Sequence, residues 1–132
     1  LASPPAIGGT TAANGSFATL SFNSGYGSVA TAYGCRAWVN FVGSTAAISG
    51  NGNVSSITRN AAGDYTINFT NAMPDANYAV TAWARSSTAG NYCVVTANSG
   101  TGANSTASAK ITVRDTGPNL TDPSVACVAI FR

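Results

Sequence analysis

The chain has 132 residues, of which 8% are charged, and its six basic and four acidic side chains leave a net charge of +2. This length fits one domain with its own core, and a nearly neutral chain without a cluster of basic residues does not suit a nucleic-acid backbone. Histidine and glutamate are absent, which removes the commonest general base and the usual activator of a serine or cysteine nucleophile. The composition therefore argues against an enzyme.

Three cysteines, Cys35, Cys93 and Cys127, lie far apart in the sequence. Without a Cys-x-x-Cys pair or a histidine, a zinc site is not expected, and no motif for another metal or for a cofactor stands out. Each cysteine lies within an apolar run, so we predict three buried thiols, with one disulfide and one free thiol as the alternative. The apolar runs are too short to span a bilayer, so membrane insertion is not expected.

The N-terminal part contains the least regular sequence. Residues 1–15 are rich in proline and glycine, which disfavours regular structure, and we predict an extended linker. Residues 16–22 alternate as a strand would, and residues 23–34 combine three glycines with Tyr26 and Tyr33, as in a loop. Residues 16–132 are predicted to form one β domain.

Residues 35–80 carry the clearest strand pattern. In one run, Tyr65, Ile67 and Phe69 alternate with polar residues, which is the period of a half-buried strand. We expect the apolar runs here to pair as a meander, and we place Trp38 in the core because apolar residues flank it. The three runs, separated by turn residues at 50–53 and 60–63, are residues 36–42, 54–58 and 64–70.

The C-terminal part continues the strand pattern. Residues 77–86 carry bulky side chains on both faces, and a short turn predicts a hairpin with residues 92–97. Residues 109–114 alternate, and residues 125–131 form a nearly continuous apolar run that predicts a buried final strand. About eight short strands without a helix predict an all-β fold, namely an antiparallel, jelly-roll-like β-sandwich.

Two groups of motifs resemble bacteriophage fibre proteins. Residues 7–20 (IGGTTAANGSFATL) resemble the tail-fibre unit I-G-x-T-T-P-x-x-G-x-F-T-T-L, with Ala12 in place of proline and Ala18 in place of threonine. Four later segments resemble a domain common at the C-terminal ends of phage fibres and other virion surface proteins. They are AWVNF at 37–41, GNVSSI at 52–57, GDYTINF at 63–69 and MPDANY at 73–78.

This resemblance implies a non-enzymatic tip domain of a homotrimeric fibre, with residues 1–15 as the end of the shaft. The protein would be part of a virion made in the cytoplasm of a bacterial host. Its implied function is attachment to the host surface. Its partners would be further copies of the chain, other virion tail components and a host-surface receptor, either a glycan or a protein.

Aromatic side chains are the strongest candidates for a receptor site. Flat amphipathic rings bind sugars well, and nearby Asn, Asp and Arg side chains complete the hydrogen bonds. The loops at residues 23–34, 86–91 and 98–108 are the expected receptor surface. Trp83 fits a receptor contact and a subunit interface equally well. The candidate receptor-binding residues are Trp83, Arg85, Tyr92, Tyr26 and Tyr33.

Three alternative functions stay open. A capsid fibre or decoration protein would use a large apolar face around Trp83 and the final strand for assembly. A glycan depolymerase would need two carboxylates about 5 to 10 Å apart in a groove. A cellular adhesin module would be a monomer.

The aspartates are the only acidic residues, and we favour turn roles for them. Asp64 and Asp75 follow Gly and Pro, where aspartate commonly bonds its own backbone. Asp115, Asn119 and Asp122 cluster as calcium ligands could, but the EF-hand spacing is absent and two prolines favour a structured turn.

Overall fold

The computed structural model describes residues 19, 21–22, 30–31, 34–89, 91, 93–97 and 102–132. The chain divides into two compact units, residues 1–33 and residues 34–132. In the first unit, β1 (Ser21–Phe22) pairs antiparallel with β2 (Ala30–Thr31). The linker predicted at residues 1–15 lies outside the described residues, and its boundary stays a prediction.

The second unit is an antiparallel β-sandwich of two four-stranded sheets, which confirms the predicted fold class. We call the sheet with order β4-β3-β10-β7 the front sheet and the sheet with order β5-β6-β9-β8 the back sheet. The predicted jelly-roll topology is not confirmed. The strands are β3 (Cys35–Val42), β4 (Ala47–Gly52), β5 (Val54–Ala61), β6 (Asp64–Phe69), β7 (Ala79–Arg85), β8 (Val94–Ala97), β9 (Ser108–Arg114) and β10 (Val125–Phe131).

Residues 35–80 begin with two hairpins in opposite sheets, so the predicted single meander is wrong. β3 pairs with β4 in the front sheet, and β5 pairs with β6 in the back sheet. The chain crosses between the sheets at Asn53, which has a positive φ of 55°. Its Nδ2 donates to the carbonyl oxygens of Arg36 and Asn71, both at 3.1 Å. The alternation of apolar and polar residues shows which face of a sheet a residue lies on, but it does not show which strands pair with each other.

The hairpin predicted between residues 77–86 and 92–97 is also wrong. β7 pairs along its full length with β10, from Arg85 opposite Val125 to Ala79 opposite Phe131, whereas β8 pairs with β9. The segment after Arg85 therefore leads from one sheet to the other. Turn residues bend the chain in both situations, so they do not distinguish a hairpin from a crossover.

The core lies between the two sheets, and in β3, β6 and β10 it is formed by alternate residues. The Phe41 and Tyr65 rings meet edge to face with centroids 5.1 Å apart, and Phe69 and Tyr78 do so at 5.8 Å. β10 is paired on both sides and supplies three core residues, which confirms that the final strand is a core strand. The buried apolar residues of β3, β9 and β10 are Ala37, Val39, Phe41, Ala109, Ile111, Val113, Ala126, Val128 and Ile130.

Asp122 ties the segment before β10 to the back sheet. Its Oδ1 accepts hydrogen bonds from the Tyr65 hydroxyl at 2.6 Å and from the Gly63 N–H at 3.0 Å, and Arg59 Nη2 donates to Oδ2 at 2.6 Å. The bond from Arg59 is the main cause that lowers the pKa of Asp122 to about 2. Burial raises the pKa of Tyr65, so the phenol keeps the proton that it donates.

Replacing Asp122 by alanine is expected to lower the free energy of unfolding by about 1 to 3 kcal/mol, because the buried Tyr65 hydroxyl would lose its acceptor. Urea unfolding followed by circular dichroism measures this change. Asp115→Asn is the matched control, since Asp115 accepts the Gly117 N–H in a surface turn and an amide oxygen can replace it. The control should change stability by less than about 0.5 kcal/mol. Equal effects of the two substitutions would contradict the anchoring role.

The lowered pKa of Asp122 also predicts a loss of stability in acid. The ordinary pKa is 3.8 and the folded pKa is about 2, so ionisation favours the folded state above the ordinary pKa. That contribution is lost as the pH falls through the folded pKa. The difference in unfolding free energy between the native chain and Asp122→Asn should be constant at neutral pH and shrink between about pH 4 and pH 2. If the difference in unfolding free energy is as large at pH 2 as at neutral pH, the stabilisation does not come from the ionised Asp122 carboxylate.

Candidate functional site

The outward face of the front sheet exposes Trp38. In β3, Val39 and Phe41 point into the core, so strand alternation turns Trp38 and Asn40 outward. The Trp38 side chain is 48% exposed, and the prediction that it lies in the core is therefore wrong. The apolar neighbours of Trp38 in the sequence correctly indicated a buried strand. Trp38 nevertheless points outward, because it alternates with the inward-pointing Ala37 and Val39.

Trp83 stands on the same face, on the other side of β10. It is 57% exposed, the most exposed of the large hydrophobic side chains that the structure describes. Between the two tryptophans, β10 presents Ala129, opposite Trp38, and Cys127, opposite Trp83. Because these side chains are small, they leave a groove of about 450 Å³ between the two indoles. We call this space the tryptophan groove.

The strand register makes the tryptophan groove diagonal. Trp38 and Trp83 are two strands apart and are offset by two residues along β10. With a strand spacing of about 4.8 Å and a rise of about 3.4 Å per residue, their Cα atoms lie roughly 12 Å apart. The site therefore suits an extended ligand that crosses β10 obliquely.

Two glycines of β4 form a flat seat for the Trp38 ring. A Cβ atom on Gly52 would lie 2.5 Å from the indole Nε1, and one on Gly50 would lie 3.4 Å from Cη2. The indole thus lies across the backbone of the neighbouring strand. This segment was predicted to be a turn, yet its glycines belong to a strand and leave room for an aromatic ring.

Polar groups border the tryptophan groove without dominating it. Asn40 and Thr81 contribute to its lining, and Cys127 lies on its floor as a free thiol. Burial raises the pKa of the Cys127 thiol, which keeps it protonated at neutral pH. A mostly apolar groove with a few polar groups can bind a flat ligand and orient it by hydrogen bonds.

The outward face of the back sheet differs because its polar side chains bond to one another. Asn68 Nδ2 donates to Ser56 Oγ and to Thr58 Oγ1, both at 3.0 Å. Asn60 Nδ2 donates to Thr66 Oγ1 at 3.0 Å. This arrangement is typical of a solvated face, so the aromatic front face is the exceptional surface of the sandwich.

Two of the predicted site residues, Trp83 and Arg85, lie on the front face, and Arg85 Nε donates to Ser124 Oγ at 3.1 Å. Tyr92, Tyr26 and Tyr33 lie outside the described residues. The prediction missed the aromatic and polar lining residues other than Trp83, although strand alternation could have found them. They are Trp38, Asn40 and Thr81.

The receptor surface was predicted on loops, whereas the tryptophan groove lies on a sheet. The described part of the loop at 98–108 is bonded to the sandwich, since the Tyr78 hydroxyl donates to the carbonyl oxygens of Ser105 and Ser108 at 3.0 and 2.7 Å. The Met73 N–H also donates to the Thr106 carbonyl oxygen at 2.7 Å. These bonds hold the described part of the loop to the sandwich, and its role as a receptor surface stays a prediction.

The prediction of three buried thiols is wrong. Cys35 is exposed, Cys93 and Cys127 are partly buried, and all three are free. Cys35 is the first residue of β3, and Cys127 points outward from β10, so neither reaches the core. The apolar residues around Cys35 and Cys127 in the sequence did not show on which side of β3 and β10 these thiols lie.

Each of the four aspartate carboxylates accepts hydrogen bonds from its own set of donors, and these sets lie in different parts of the fold. The main bond of Asp75 comes from Arg132, and it lowers the pKa of Asp75. Among the described residues, no three histidine, cysteine or acidic side chains come together as metal ligands would. Asp64 accepts from Asn60 Nδ2 at 3.2 Å, Asp75 from the Asn77 N–H at 2.7 Å, Asp115 from the Gly117 N–H at 2.8 Å, and Asp122 from the donors described above.

Comparisons of the chain with protein-family models, with curated proteins and with solved structures gave no match. In the part of the chain that the structure describes, no helix is long and apolar enough to cross a membrane.

Replacing Gly52 by alanine is expected to displace the Trp38 ring, because the new methyl group would overlap the indole. Gly50→Ala is the matched control, since its methyl group would make an ordinary contact with the same ring. Tryptophan fluorescence and acrylamide quenching in the Trp83→Phe background, where Trp38 is the only indole, would report the displacement. Identical spectra for the two alanine variants would contradict the proposed seat.

Proposed function

We propose that this domain is a non-enzymatic attachment module that binds a host-surface glycan in the tryptophan groove. The observation that carries the proposal is the exposure of Trp38 and Trp83 on one sheet face, on either side of a strand with small side chains. Indole faces offer a large apolar area that fits the apolar face of a sugar ring. Asn40 and Thr81 would supply the hydrogen bonds that orient the sugar.

The paired strands that carry the two indoles support an attachment function. Trp38 is seated on β4, and Trp83 stands on a strand that is paired with β10 along its length. A side chain that is already positioned loses less conformational entropy when a ligand binds. A smaller entropic cost matters most for a ligand that binds with low affinity, such as a sugar.

The virion setting of the proposal rests on the sequence resemblance to phage fibre tips. On that basis we propose a homotrimer that joins other tail components through its N-terminal segment and meets a bacterial surface with its sandwich. The β-sandwich is compatible with this role. The structural bonds of all four carboxylates support binding without cleavage, because a depolymerase would need two carboxylates directed at a glycosidic bond.

One observation favours a second candidate function, in which the front face is a subunit interface of a structural fibre or decoration protein. Trp83, Ala129 and Phe131 form an apolar patch on the outward side of β7 and β10. Large exposed apolar patches often mark surfaces that another subunit covers. In that case the tryptophan groove would be filled in the assembled protein.

Replacing Trp83 by alanine is expected to raise the dissociation constant of the glycan at least about tenfold, because loss of a central aromatic contact typically costs roughly 2 kcal/mol. A glycan array selects the ligand, and titration calorimetry measures its affinity. Leu120→Ala is the matched control, since Leu120 is an exposed apolar residue in the connection between β9 and β10. Unchanged binding by Trp83→Ala would exclude the groove as the glycan site.

Light scattering on the full chain separates the two candidates. We expect a mass of three times 13.2 kDa for the native chain, and the same mass for Trp83→Ala if the groove serves a glycan. Dissociation of that variant into monomers would show that Trp83 holds subunits together. A monomeric native chain would contradict the homotrimer.

A further inference from the structure

Positive charge flanks the tryptophan groove at both ends. Arg36 lies two residues before Trp38 on β3, and Arg85 lies two residues after Trp83 on β7, and both arginines are exposed. β3 and β7 each run antiparallel to β10 and therefore parallel to each other. An arginine thus precedes one tryptophan and follows the other.

The register orders these four residues along one diagonal. Arg85 lies opposite Val125, and Trp83 and Trp38 follow at the levels of Cys127 and Ala129. Arg36 lies at the bulge near Phe131, beyond the last regular pair of β3 with β10. The two ends are six positions apart along β10, which corresponds to roughly 20 Å along the strand. The diagonal is long enough for an extended ligand with several groups.

In the part of the chain that the structure describes, neither of these two arginines forms an ion pair. The chain has four acidic residues in all, and Asp122 and Asp75 form ion pairs with Arg59 and Arg132. Asp64, on the back sheet, and Asp115, in a surface turn, bond to other groups. The front face is therefore aromatic in the middle and cationic at both ends.

We infer that the ligand of the tryptophan groove is an acidic saccharide whose rings lie on Trp38 and Trp83 and whose anionic groups bind Arg36 and Arg85. The inference rests on the proposed glycan-binding function and names the class of glycan. A guanidinium group binds carboxylate and phosphate groups through paired hydrogen bonds, which a neutral sugar cannot form. Uronic acids and phosphorylated sugars share this chemistry.

Matched pairs of probes test the inference on the full chain. Oligogalacturonate is compared with its carboxyl-reduced form, and phosphorylated oligomannose with its dephosphorylated form. We expect one acidic probe to bind about tenfold more tightly than its neutral counterpart, because charged hydrogen bonds are roughly twice as strong as neutral ones. The preference should decrease as salt is added, since exposed charges are screened. The preferred pair shows whether the anion is a carboxylate or a phosphate.

The double substitution Arg36→Gln with Arg85→Gln should abolish the preference while neutral sugars still bind, and each single substitution should reduce it. Arg114→Gln removes the same charge from the back sheet and should leave the preference unchanged. Equal binding of acidic and neutral probes, or a preference that survives the double substitution, overturns the inference alone. Failure of every glycan to bind, or undiminished binding by the Trp83→Ala variant, overturns the proposed function as well. Circular dichroism confirms that each variant is folded.

Discussion

The ionised carboxylate of Asp122 anchors the chain at the point where it enters β10. This carboxylate accepts bonds from Tyr65 and Gly63 of the back sheet, and the adjacent Pro123 accepts the N–H of Gly43, just after β3. The chain is therefore held to both sheets before it enters the centre of the front sheet. Because several donors stabilise the charged form, the carboxylate stays ionised well below neutral pH. This connection adds to the strand pairing that holds β10, the floor of the tryptophan groove.

One side of β10 faces the core, and the other side forms the floor of the tryptophan groove. Val128 and Ile130 fill the interior, whereas the outward positions between the two indoles carry Cys127 and Ala129. Larger side chains there would occupy the space between Trp38 and the indole across the strand. Leaving two indoles about half exposed forgoes part of the stabilisation that burial gives. A ligand or subunit that covered the indoles would account for this arrangement. The polar side chains of the back sheet instead bond to one another.

Strand alternation made most of the fold predictable, because a period of two shows both that a strand exists and which side faces the core. The buried positions of Tyr65, Ile67 and Phe69 follow from it. Strand partners did not follow, since they depend on long-range packing and not on local pattern. Trp38 was misplaced because the apolarity of its neighbours was weighed above its own place in the alternation. Gly52 was predicted to lie in a turn. In the structure it lies in a strand, and its lack of a side chain leaves room for the Trp38 ring.

The charges of the front face bear on whether a glycan or a second subunit covers it. A second copy of the chain would bring the same four aspartates, and each of these already has bonds within its own subunit. An interface that buried Arg36 and Arg85 would then remove two guanidinium groups from water without an acidic partner, and an uncompensated buried charge costs several kcal/mol. An acidic saccharide would bring its own anions and leave the remaining guanidinium edges in solvent. The same two residues that disfavour a close-packed subunit interface therefore favour a charged ligand.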